Sequence, residues 1–92
     1  MEKLQKLELM DKIIRELEDL KNTQVAGLKK IAQIEADNIT LGVGLLEKSL
    51  PDLHEIIDNG VSGLTSLSDE FAALREKFFV DNKLAAQLDP TA

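Results

Sequence analysis

The chain has 92 residues, no cysteine, and 43% apolar residues drawn almost wholly from Leu, Ile, Ala and Val, with three Phe and no Trp or Tyr. That length allows one small domain of marginal core size, and the missing cysteines exclude a disulfide framework or a thiolate metal site. The formal charge is −6, almost all of it in residues 45–70, where six acids face one base; an acidic surface without stacking aromatics excludes nucleic acid and anionic lipid as expected partners.

Residues 2–20 carry Leu4, Leu7, Met10, Ile14 and Leu17 at three- and four-residue steps, with Ile13 and Leu20 widening the face. This spacing predicts an amphipathic helix. Glu8 with Lys12 and Asp11 with Arg15 stand one turn apart, acid before base, each pair worth about 0.2–0.5 kcal/mol on an isolated helix. The stripe then weakens, because Lys21 and Gln24 occupy positions where its frame calls for apolar residues. It resumes at Leu28 and Ile31 and, on a shifted frame, at Ile34. A single helix over about 3–37 with a polar waist is favoured over a turn at Asn22–Thr23 with Thr23 as a cap. No proline interrupts the segment, and Gly27 lies beyond the weak point.

Two glycines and two capping residues meet in DNITLGVG (37–44), and the chain reversal is expected within about 38–44. Beyond it, Val43, Leu46, Leu50, Leu53 and Ile57 begin a series that continues through Gly60, Leu64, Leu67, Phe71, Leu74, Phe78, Asp81, Ala85 and Leu88. Only Gly60 and Asp81 break its apolar character, so it reads as a heptad seam. Residues 45–88 are therefore expected to be helical. A strong start is placed at Ser49–Leu50, with 43–48 a short preceding turn of helix or the top of a kinked one, so that Pro51 falls in the first turn, where its missing N–H has no partner to lose. Asn59-Gly60 and Gly63 mark a weak point at 59–63, Asp89-Pro90 stops the helix, and residues 89–92 are tail. The expected fold is all-α: one helical domain over 1–92, an antiparallel hairpin or coiled-coil-like bundle. Its second helix is kinked or broken near Gly60, and it is completed by oligomerisation or a partner.

The apolar residues outnumber what one seam uses. Phe71, Leu74, Phe78, Phe79, Val80 and Leu84 hold every aromatic in the chain and are the candidate interface. Asp81 in the seam either fixes register or marks the fraying end. His54, the single histidine, stands among Asp52, Glu55 and Asp58; a solvated acidic face near a helix N-terminus accounts for these residues. Gly42-Val43-Gly44 lacks the third glycine and the strand–helix context of a phosphate loop. No catalytic, cofactor-binding or metal residue is expected, no cofactor, and no small-molecule substrate.

The expected function is a non-enzymatic helical interaction module, an adaptor, small chaperone or assembly subunit, binding a protein partner or its own copies. No uncharged run approaches the ~20 residues a bilayer span requires, and the N-terminus is dense in charge, so a cytoplasmic location is expected, with leaderless export as the alternative. In length, acidity, lack of cysteine and a glycine-containing turn between two helices, the layout resembles the WXG100 group of co-secreted helical hairpins. Thr40-Leu41-Gly42 stands where that group has its Trp-x-Gly signature, without the tryptophan, and no C-terminal Tyr-x-x-x-Asp/Glu pattern is present. A phage or mobile-element scaffold or inhibitor is a further alternative.

Overall fold

The computed structural model describes residues 2–85. Helix α1 spans Lys3–Leu41 and helix α2 spans Gly44–Asp81. They pack against each other as an antiparallel hairpin, a rod of 66 × 22 × 17 Å. The Asn22–Thr23 alternative is not taken: α1 runs unbroken through both residues, and the Thr23 hydroxyl donates to the Asp19 carbonyl one turn back (3.0 Å) rather than capping a new helix. Glu2 precedes the first turn, and its N–H donates to the Gln5 side chain at 3.1 Å, which occupies one of the donors a helix start leaves over.

The reversal is tighter than 38–44. Residues 38–41 still belong to α1, and only Gly42 and Val43 are non-helical. Gly42 adopts φ 72° and ψ 33°, the left-handed conformation that glycine reaches without a Cβ penalty, and its N–H donates to the Asn38 carbonyl. Asn38 then secures the next residue with its side chain. Its Nδ2 donates to the Val43 carbonyl (3.1 Å), and its Oδ1 accepts from the Val43 N–H (3.0 Å). One buried amide thus satisfies both backbone groups of the residue that opens α2.

Three expectations for the second helix are corrected. It starts at Gly44 rather than Ser49–Leu50, so Pro51 lies inside it. The proline leaves the Glu47 carbonyl without its usual partner, and Glu47 is exposed, so that carbonyl lies on a side of the helix that water can reach. The break falls at the hairpin turn rather than near Gly60: α2 is continuous through 59–63, because no left-handed φ is needed there. Finally, α2 ends at Asp81 rather than Leu88. Lys83 takes φ 53° and donates to the Val80 carbonyl, and the Leu84 N–H donates to the Phe79 carbonyl, both at 3.1 Å. This pair of bonds is the Schellman termination, which folds the following apolar residue back on the last turns. Leu84 is accordingly fully buried. The expected seam position Leu88 and the 89–92 tail lie outside the described residues.

Two stability outcomes follow from these ends. In denaturant unfolding, Asn38→Ala should lose about 1–2 kcal/mol, because the Val43 N–H is left without an acceptor while its carbonyl keeps only the Glu47 N–H; Asn38→Asp, which keeps the acceptor, should lose less. Lys83→Gly should gain about 1 kcal/mol by relieving the left-handed lysine. No change in either substitution would contradict the role given to these ends.

Candidate interaction surface

The seam between the helices can be read from burial. On α1 it runs Leu7, Met10, Ile14, Leu17, Lys21, Gln24, Leu28, Ile31, Glu35 and Asn38, all buried or half-buried. The frame seen in the first five turns therefore continues without a shift, and Lys21 and Gln24 stay in it. Ile34, read from sequence as its continuation, lies outside. On α2 the seam runs Leu50, His54, Ile57, Val61, Leu64, Ser68, Phe71, Arg75, Phe78 and Asn82. One row, Leu50, Ile57, Leu64, Phe71 and Phe78, is the row expected from sequence. The other is displaced by one residue: Val61, Ser68 and Arg75 replace Gly60, Leu67 and Leu74.

Polar pairing explains the displacement. Arg75 donates to Asp11 through Nε (2.8 Å to Oδ1) and Nη2 (3.3 Å to Oδ2), and through Nη1 to Glu76 at 3.3 Å. Its guanidinium also lies 5.1 Å from the centre of the Phe79 ring, within cation–π range. The hydrogen bond to Asp11 is the main reason the Arg75 pKa is raised from an already high value, with the Asp11 and Glu76 charges adding to it against partial desolvation. A raised base loses its stabilising charge only as pH climbs through that high value, so Arg75 remains cationic at any pH the protein meets. The bidentate geometry makes this pair worth about 1 kcal/mol, near the top of the range for half-exposed ion pairs. Asp11 thus pairs across the hairpin and not with Arg15 on its own helix, and Lys12 pairs with Glu16 at 3.7 Å.

With the polar row turned inward, an apolar row is turned outward. On α2 this row is Leu53, Gly60, Leu67 and Leu74; the three leucines are 45%, 49% and 53% exposed. On α1 the equivalent row is Ile13, Leu20, Gly27, Ile34 and Leu41, of which Leu20, Ile34 and Leu41 are exposed and Ile13 and Gly27 half-buried. From 13 to 34 and from 53 to 74, each of these residues precedes a seam residue by one. In an antiparallel pair, positions displaced the same way around both helices fall on the same side. The two rows therefore lie side by side on one face of the rod, with Leu9 and Ile56 exposed at its margins.

The six residues singled out from sequence do not form one surface. Phe71 and Phe78 are half-buried in the seam, Leu84 is fully buried beneath the helix end, and Phe79 is half-buried under Arg75. Leu74 belongs to the outward row, and Val80 is exposed on the far side of α2. Asp81 is exposed and bonded to Lys77 at 3.2 Å, outside the seam. Sequence reading missed Leu20, Ile34, Leu53 and Leu67 as surface residues because their spacing is that of a core.

His54 faces the seam, half-buried, while Asp52, Glu55 and Asp58 are exposed around the outside of the helix. Among the described residues, no group of three His, Cys, Asp or Glu side chains is placed to hold a metal ion. An open groove of about 650 Å³ lies beneath the turn, lined by Ala32, Asn38, Ile39, Leu46, Leu50 and Pro51 among others. Among the described residues, no helix is long and apolar enough to cross a membrane. Comparison with protein-family models, with curated proteins and with solved structures found no match.

The seam contains one orphan. The Ser68 hydroxyl is buried without a hydrogen-bond partner among the described residues. Ser68→Ala should therefore raise stability by about 1 kcal/mol in thermal unfolding, whereas Arg75→Ala should lower it by about 1–2 kcal/mol through loss of both the ion pair and the ring contact. Arg75→Lys should not restore the loss, since an ammonium cannot hold both carboxylate oxygens. Full rescue by lysine would mean that charge alone matters there.

Proposed function

We propose that this protein is a non-enzymatic interaction module, an adaptor, small chaperone or assembly subunit of the cytoplasm, that works by presenting an apolar helical face to another protein. The observation that carries this reading is the uncovered double row. Helices that bury only their seam against one neighbour need two apolar positions in seven; a third, beside the seam, is the pattern of helices that belong to a bundle. Both helices have that third position, and the hairpin leaves most of both rows exposed.

The burial pattern agrees. Among the described residues, Leu7, Ile31, Leu50 and Leu84 are the buried hydrophobic side chains, while Leu53, Leu67, Leu74, Leu20 and Ile34 remain open to solvent. Contiguous apolar surface of this kind on a soluble rod marks a contact site. Of the acidic residues of 45–70, Asp52, Glu55, Asp58 and Asp69 stand off the face and Glu70 stands at its margin, in heptad register with Ile56, so the centre of the face is uncharged. The half-buried position of His54 and the solvent-facing acids near it fit a structural histidine better than a reacting one.

A photo-crosslinking residue placed at Leu67 should give discrete protein adducts in cells, and one at Val80, on the side of α2 turned away from α1, should give few. Equal crosslinking from the two positions would remove the assignment of the face.

A further inference from the structure

The three glycines inside the helices have no purpose within the hairpin. Gly27, Gly60 and Gly63 have ordinary helical φ, and a Cβ added at any of them would meet nothing within 4 Å. Each costs its helix about 1 kcal/mol relative to alanine. Counting in heptads from the Asp11–Arg75 pair, Gly27 and Gly60 stand at the same level of the rod, side by side on the apolar face. Leu20 with Leu67 and Ile34 with Leu53 occupy the next levels on either side. The face thus has a glycine waist flanked symmetrically by large apolar residues.

We propose that a second copy of this chain covers the face, with the glycine waists of the two copies in contact, forming a four-helix bundle. This rests on the interaction-module reading and names its partner. A two-fold dimer presses a surface against itself. That requires a surface that matches its own rotated image. The α1 row does, running large apolar, large apolar, glycine, large apolar, large apolar from either end; the α2 row has its glycine between Leu53 and Leu67, with Leu74 beyond and half-buried Leu46 at the remaining position. A small residue opposite a small residue lets two backbones approach, while the leucines on either side interlock. The size also suffices. At 1.5 Å per residue the α1 row extends about 42 Å from Ile13 to Leu41, and the α2 row about 32 Å from Leu53 to Leu74. Two helices about 9 Å apart then offer on the order of 600–800 Å² per copy, close to the ~800 Å² per partner of a standard stable interface. The rows carry no charge over that length, so burying them strands no ion. At the next level beyond Ile13 and Leu74 stand Lys6 and Asp81, exposed and of opposite sign.

The experiment compares the native chain with Gly60→Leu and Leu67→Glu by light scattering on a sizing column across a concentration series, with circular dichroism on the same samples. The native chain should show twice its 10.2 kDa mass. Leu67→Glu should give the single-chain mass. Gly60→Leu should raise the dimer dissociation constant at least tenfold while leaving helicity equal or higher, because leucine is the better helix former and the hairpin has room for it. Loss of assembly with gain of helix separates the face from the fold. A native chain that remains a monomer throughout, or a dimer indifferent to both substitutions, would overturn the proposal. If the monomer still crosslinks to another protein from Leu67 in cells, the interaction-module reading stands and only the identity of the partner falls; if neither is seen, both fall.

Discussion

Asn38 decides how the two helices face each other. Its side chain holds both backbone groups of Val43 while its own carbonyl receives the Gly42 N–H, so the last turn of α1, the two-residue reversal and the first turn of α2 form one hydrogen-bonded unit. A turn this short leaves α2 little freedom to rotate about its axis. The direction in which α2 presents its side chains to α1 is set there and carried along the rod. About eight turns further along the rod, Asp11 and Arg75 hold the other end in the same rotation. A hairpin pinned at both ends cannot choose its most apolar seam in the middle.

The consequence is a division of labour between faces. The seam takes in Lys21, Gln24, Glu35, His54, Ser68 and Arg75 along with its leucines and isoleucines. Such a seam gives register more readily than it gives stability, since polar groups at an interface constrain pairing and contribute little net free energy. The larger uniform apolar surface is displaced to one side, where no intramolecular partner can reach it. Two helices side by side can cover only one stripe of each other, so this is a geometrical consequence and not a defect of packing. An outward apolar face, a glycine waist and an outer shell of acids are what a subunit of a larger bundle would carry.

The ends of the helices show how local chemistry sets the limits of that face. Gly42 supplies the left-handed residue at the turn without strain; Lys83 supplies it at the end of α2 with strain, and Leu84 is buried in return. Pro51, about two turns into α2, removes a hydrogen bond from an exposed strip of the helix. None of these features reaches the apolar rows, which remain regular over their full length.

The sequence by itself determined the helices, the single reversal and the row Leu50, Ile57, Leu64, Phe71 and Phe78, because apolar periodicity and turn residues act over a few neighbours and need no knowledge of the rest of the chain. It also determined the exclusions of disulfides and thiolate metal sites. Only the tertiary structure decided which second row faces inward. Leu53, Leu67 and Leu74 continue the heptad as well as any core residues could, and nothing local distinguishes them from His54, Val61, Ser68 and Arg75, one position on. The choice depends on the Asn38–Val43 clamp and on an ion pair between residues 64 positions apart in the chain; local spacing suggested Arg15 for Asp11, and the fold supplied Arg75. For the same reason the aromatic cluster at 71–84 looked like one surface. Its members share a stretch of chain, but a helix turns by 100° at each residue, and consecutive side chains such as Phe78, Phe79 and Val80 point to the seam, its flank and the outside.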